Sequence, residues 1–133
     1  MADLRHILLA EDEPDLRELV RISLAVVGGL EVTVCEDGAQ ALAAFDAVRH
    51  DLVVLDVTMP GIDGPETLAR LRRLPGGERV PVVFLTARQQ PEDNLAFLAM
   101  GALHVIGKPF DPMTLANHLR VLWEQASVAG EDA

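Results

Sequence analysis

An open parallel β-sheet with helices packed on both faces is the α/β architecture this chain predicts. Short apolar runs alternate five times with stretches of helical period along its 133 residues. Strands separated by helices run parallel, because each helix carries the chain back to the edge where the next strand begins. Three runs, at 7–10, 52–55 and 81–85, are apolar throughout, as expected of strands covered on both sides. The runs at 31–36 and 103–106 mix polar with apolar residues and suit the sheet edges. With those two outermost, the strand order is 2-1-3-4-5, one of the two common orders of doubly wound sheets.

Each element has its own signal. Ile7-Leu8-Leu9-Ala10 stops abruptly at Glu11-Asp12-Glu13-Pro14. Pro14 and Asp15 suit a helix start, where proline lacks only a donor that would be unpaired and an acid meets the dipole favourably. Leu16, Leu19, Val20, Leu24 and Val27 recur at helical spacing, with Arg17, Glu18 and Arg21 outside that stripe, until Gly28-Gly29 ends the helix. Residues 31–36 alternate, the mark of a strand wet on one face, and Cys35 falls inside it as a core residue. Asp37-Gly38 turns into a second helix carrying Leu42, Phe45 and Val48. Leu52-Val53-Val54-Leu55-Asp56 is the third strand, followed by a loop punctuated by Pro60, Gly61 and Gly64. A third helix has Pro65 near its first turn and Leu68, Leu71 and Leu74 inward, and breaks at Pro75-Gly76-Gly77. The fourth strand ends at Thr86-Ala87, and a helix over 91–100 closes at Gly101. A weaker strand at 103–106 leads into Gly107-Lys108-Pro109-Phe110. The last helix turns Leu115, Leu119 and Leu122 inward, with Trp123 as packing, and residues 127–133 read as a short flexible tail after a domain spanning 1–126.

Composition narrows the function. A net charge of −10 disfavours a nucleic-acid surface, which needs clustered Lys and Arg, and suits a protein that attracts a cation. The single cysteine makes no internal disulfide and is compatible with a reducing cytoplasm. The apolar stretch near Met1 is too short for a signal peptide or a membrane span.

Parallel order also gathers the chemistry. Glu11, Asp12, Asp56, Thr86 and Lys108 each follow directly on a strand, at the carboxyl rim where open α/β sheets bind ligands. Any one of them alone reads as ordinary loop polarity. Together they form a site. Three carboxylates in one cleft resist joint ionisation unless a cation sits among them. Oxygen donors without His or Cys suit Mg²⁺, which keeps waters and shares its shell with a phosphate. Asp56 is then placed to attack phosphorus. Lys108 is the only lysine in the chain, a compact point charge where every other Lys or Arg position holds arginine.

Asp-x-x-Met-Pro-x-x-Asp-Gly at 56–64, the Glu11-Asp12 pair, Asp-Gly-x-x-Ala-Leu at 37–42, Thr86-Ala87 and Lys-Pro-Phe at 108–110 make the chain resemble the receiver domain of bacterial response regulators, over roughly residues 4–122. The resemblance implies a flavodoxin-like sheet with five helices and a domain that is not an enzyme in its own right. Such a domain takes a phosphoryl group from the phosphohistidine of a sensor histidine kinase or phosphotransfer protein, and a downstream protein reads the result. Asp56 would be the acceptor. Asp12 and Asp56 would ligate Mg²⁺ with the Thr58 backbone carbonyl, Glu11 would act through water, Thr86 would be the switch hydroxyl and Lys108 the phosphate partner. The Lys108–Pro109 bond would be cis. Ala87 would leave the acyl phosphate accessible, with Thr58 and Arg88 at variable positions governing its lifetime. The expectation is a stand-alone, chemotaxis-regulator-like receiver in the cytoplasm, phosphorylated, with neither nucleic acid nor membrane as partner.

One departure concerns the switch. The family commonly carries an aromatic three residues before the lysine, where this chain has Val105, and there is no tyrosine at all. His104, beside it, reads as a polar residue on an edge strand. Two other functions share parts of this pattern. A Mg²⁺-dependent phosphatase working through an aspartyl phosphate typically has a second aspartate two residues after the nucleophile, where Thr58 stands here. A flavin module needs a phosphate-cradling loop after the first strand, and Glu11-Asp12-Glu13 repels phosphate unless a metal intervenes.

Overall fold

The computed structural model describes residues 3–87 and 90–132, with side chains in the last helix as far as Ser127. Five parallel strands, β1 (His6–Ala10), β2 (Glu31–Cys35), β3 (Leu52–Asp56), β4 (Val82–Thr86) and β5 (His104–Gly107), form one sheet in the order β2-β1-β3-β4-β5. Every residue of β1, β3 and β4 is buried, whereas β2 and β5 carry exposed or half-buried positions. The uninterrupted apolar runs are therefore the central strands and the mixed runs the edges. Among the described residues no helix is long and apolar enough to cross a membrane.

Successive strand residues point to opposite faces, and this splits the core in two. Ile7, Leu9, Val54, Val83, Leu85 and Ile106 pack with Val20, Leu24, Leu115 and Leu119 beneath α1 (Pro14–Arg21) and α5 (Leu115–Asp132). Leu8, Leu55, Phe84 and Val105 face Ala41, Leu68 and Leu71 beneath α2 (Gly38–Ala44) and α3 (Gly64–Leu71), and Phe97 of α4 (Pro91–Ala99) packs against this layer.

The inward assignments of Leu19, Val27 and Val48 change. α1 continues into a π-helical stretch, Ile22–Val27, where the Gly28 amide reaches back five residues to the Ser23 carbonyl at 3.1 Å. The wider turn shifts the helical phase, so Val27 is exposed while Ser23 is buried, its hydroxyl donating to the Pro112 carbonyl; Leu19, upstream in α1, is exposed as well. Val48 is 97% exposed. α2 stops at Ala44 because Phe45 takes an extended conformation, and Val48 sits on the following turn, its amide donating to Asp46 Oδ1 at 2.9 Å. Leu74, expected in the third helix, lies in the turn after it, yet it does pack inward, half-buried against the layer of Leu68 and Leu71. Boundaries move slightly elsewhere: β5 begins at His104, and the backbone of α5 runs on to Asp132 through the segment read as a tail.

Trp123 packs against the α1–α5 layer, and its indole N–H donates to the Asp51 carbonyl at 3.2 Å. Cys35 is buried, and burial pushes its thiol up to about 11, so it stays protonated and behaves as a core residue.

Candidate functional site

β1 delivers Glu11 to the rim. Its amide donates to the Cys35 carbonyl at 3.2 Å, extending the β1–β2 ladder by one step, and its side chain is completely buried. Asp12 follows, half-buried. Glu13 caps α1, accepting from the amides of Asp15 at 3.0 Å and Leu16 at 2.6 Å, and Pro14 takes the first helical position. The third acid of the run thus belongs to the helix rather than the cleft.

β3 ends at Asp56, which is buried. The loop behind it is tight: a Cβ on Gly64 would stand 2.6 Å from the Asp56 carbonyl oxygen and 2.9 Å from Val57 Cα, so only glycine lets α3 begin this close to the strand end. Asp63 then caps α3 by accepting from the Glu66 amide at 2.8 Å. Thr58, exposed, occupies the same loop. Thr86, buried, ends β4 opposite Gly107 in the ladder. Its carbonyl accepts from the Lys108 amide at 2.8 Å, and the Lys108–Pro109 peptide is cis.

The side chains converge. Lys108 Nζ lies 2.9 Å from Glu11 Oε1 and 3.0 Å from Asp56 Oδ1. One carboxylate oxygen from each of Glu11, Asp12 and Asp56 falls within 4.8 Å of the others. Burial raises the Glu11 carboxyl from 4.5 to about 7, aided by its hydrogen bond with Asp56, while Lys108 pulls in the other direction. Burial also works against the charge on Lys108, but its contacts with Glu11 and Asp56 prevail and hold its pKa up. The cleft therefore carries more negative charge than its one ammonium neutralises. An oxygen-only donor set with surplus negative charge fits a hard divalent cation, with room in its shell for water or phosphate.

Of the residues singled out from sequence, Glu11, Asp12 and Asp56 are gathered into one cluster, Lys108 contacts Glu11 and Asp56, Thr86 stands at the same rim, and Thr58 lies in the loop beyond Asp56. Ala87 is exposed, and Arg88 lies outside the described residues. Val105 is buried beneath α4, in the layer where Phe84 and Phe97 meet edge to face at 5.2 Å. His104 stands on the edge strand with its ring 5.4 Å from that of His118, and burial lowers its pKa. Arg17 was not singled out. Its guanidinium donates to the carbonyls of Glu11 at 3.1 Å and Asp12 at 3.3 Å. A bond from a side chain to distant backbone leaves no mark in the sequence pattern, beyond an arginine four residues into an acidic turn.

The chain is similar to known proteins. The response regulator receiver domain family matches residues 7–120. The transcriptional regulatory protein TrcR of Mycobacterium tuberculosis is 40% identical over 122 residues, covering 92% of this chain and 46% of TrcR. An uncharacterized 14.6 kDa protein of Leptolyngbya boryana is 40% identical over 109 residues, 82% of each chain. The chain spans about half the length of the transcriptional regulators it matches. The chemotaxis protein CheY4 of Vibrio cholerae superposes with a TM-score of 0.82 at 31% identity, over 90% of this chain and 98% of that one.

Proposed function

The chain belongs to the response regulator receiver domain family, and from that premise we propose that it accepts a phosphoryl group on Asp56 from the phosphohistidine of a sensor histidine kinase or phosphotransfer protein. An Asp56 carboxylate oxygen attacks phosphorus, the P–N bond breaks, and the departing imidazole keeps the electron pair. Transfer of this kind depends on positioning and charge neutralisation more than on covalent help. Mg²⁺ would be held by Asp12, Asp56 and the Thr58 carbonyl, with Glu11 acting through water, and when bound it offsets the charge of the incoming phosphoryl oxygens. Lys108 holds Asp56 in place beforehand and then follows the phosphoryl group as its ammonium partner. Thr86 turns its hydroxyl toward the new anion, and that movement is the start of the signal.

The observation that carries this reading is the Lys108 ammonium seated between Glu11 and Asp56 at 2.9 and 3.0 Å, beside a cluster of three carboxylates. The domain, taken as residues 1–126, works as a signalling unit in the cytoplasm and does not turn over a substrate of its own. Phosphorylation shifts a pre-existing equilibrium between two surface states, and a downstream protein that prefers one of them reads it. A net charge of −10 favours a protein rather than nucleic acid as that reader. Acetyl phosphate with Mg²⁺ is expected to add one phosphoryl group to the wild type and none to Asp56→Asn; equal labelling of the two refutes the assignment.

A further inference from the structure

Arg17 lies in the first turns of α1 with its side chain four-fifths buried. Nη1 donates to two successive carbonyls, those of Glu11 and Asp12, at 3.1 and 3.3 Å, and Nη2 stands 3.9 Å from Glu36 Oε1 beyond the end of β2. These carbonyls belong to the two peptide units that flank Asp12. Each unit is planar, so anchoring both carbonyls fixes the dihedrals on either side of the Asp12 Cα, and with them the direction of its Cα–Cβ bond. The turn is already held at its entry, where the Glu11 amide pairs with the Cys35 carbonyl, and at its exit, where Glu13 caps α1. Arg17 holds the middle.

Resting on the reading of Glu11, Asp12 and Asp56 as a cation site, we propose that Arg17 is the positioning residue of that site, clamping the β1–α1 turn so that Asp12 is aimed at the cation before it arrives. A planar guanidinium can serve two carbonyls from one nitrogen and still reach Glu36. A lysine ammonium has three donors on one nitrogen at the end of a flexible stem. Without a second nitrogen or a planar fork it holds the carbonyls less rigidly and cannot reach Glu36 at the same time. The partners that orient ligand-bearing groups typically change metal affinity about 10- to 100-fold when removed. The role is distinct from charge at the reacting atoms, because the guanidinium is bonded to backbone carbonyls and not to the carboxylates of the cluster.

The test is calorimetric titration of MgCl₂ into the full chain, metal-stripped, for wild type, Arg17→Met, Arg17→Lys, Glu36→Ala and Asp12→Asn. Arg17→Met keeps the apolar stem and removes the fork; its Mg²⁺ dissociation constant should rise about tenfold or more. Arg17→Lys should fall between the two, and Glu36→Ala should stay within about twofold of wild type, because an exposed ion pair at this distance contributes little. In acetyl phosphate labelling, the Mg²⁺ concentration giving half-maximal rate should rise with the dissociation constant, while the rate at saturating Mg²⁺ stays near wild type. A folded Arg17→Met that melts earlier but binds Mg²⁺ as the wild type does would show a structural brace only and overturn the inference. Should Arg17→Met fail to fold, Arg17→Lys decides in the same way: weakened binding supports the clamp, unchanged binding removes it. A wild type that binds no Mg²⁺, or an Asp12→Asn that binds it equally well, overturns the cation site itself and the clamp with it. Loss of affinity in Asp12→Asn but not at Arg17 overturns the clamp alone.

Discussion

Replacing Lys108 with methionine removes the one ammonium that the cleft holds while keeping most of its apolar stem. Nζ lies 2.9 Å from Glu11 and 3.0 Å from Asp56, with the lysine side chain 16% exposed. At an effective dielectric of about 20, charges roughly 3 Å apart attract by about 5 kcal/mol per pair, before the penalty of desolvating them. Measured losses on breaking a buried pair are smaller, about 3–5 kcal/mol. Here a second effect limits the loss. Glu11 already titrates at about 7, and Lys108 is the group that keeps it from going higher. Without the ammonium, Glu11 takes up a proton and donates to Asp56, so the cleft neutralises itself at the cost of holding that proton. At pH 6 the proton is present in the wild type too, and the variant should lose only the charge-assisted bond to Asp56, about 1.5–3 kcal/mol. As pH rises above 7 the wild type ionises while the variant must keep its proton, and the gap widens by up to about 1.4 kcal/mol per pH unit. Urea unfolding in chelator at pH 6 and pH 8.5 should therefore show a destabilisation that grows with pH. A loss that is equal at the two values, or a variant more stable than wild type at pH 8.5, would refute the placement of Lys108 between the two acids.

Other consequences are simpler to state. In metal-free wild type the raised pKa of Glu11 means the folded state binds a proton that the unfolded chain has released above about 4.5. That stabilisation is full at pH below 4.5 and is lost as pH climbs through 7; Glu11→Gln should remove this decline, and added Mg²⁺, which favours the ionised form, should flatten it, both read from urea midpoints at pH 5 and 8. At the opposite end of the sheet, the Asp46 amide donates to His50 Nδ1 at 3.0 Å, so His50 Nε2 donates to Thr33 Oγ1 at 3.0 Å, and the Thr33 hydroxyl donates in turn to His6 Nε2 at 2.7 Å. Thr33→Val strands two buried imidazole nitrogens and should cost about 1–3 kcal/mol by chemical denaturation, while leaving acetyl phosphate labelling unchanged; a silent substitution would mean water replaces the hydroxyl.

How far the sequence reaches depends on the kind of interaction. Strands 7–10, 52–55 and 81–85 were legible as central because a residue covered on both faces has to be apolar, and the edges were legible by contrast. The rim followed from topology, since parallel strands bring their carboxyl ends together, and Glu11, Asp12, Asp56 and Lys108 do meet there. The inward stripe of the first helix was legible at Val20 and Leu24 but failed at Val27, because a π-turn changes the period on which the reading rests; it also failed at Leu19, which lies before that turn and is exposed. Val48 failed for another reason: His50 and Asp46 fold the chain back with side-chain bonds to backbone, ending α2 before its apolar pattern runs out. Arg17 and the His6–Thr33–His50 chain escaped entirely. Their partners lie on other elements or on the backbone, and neither leaves a periodic signal.

The whole account stands on one atom pair, the Asp56 carboxylate oxygen and an incoming phosphorus. Peptide mapping by tandem mass spectrometry after brief exposure to acetyl phosphate and Mg²⁺ reads it directly. The phosphoryl group should be found on the peptide containing Asp56 and lost when that residue is asparagine. A phosphoryl group mapped instead to Asp12 or to a histidine would contradict it, whatever the yield.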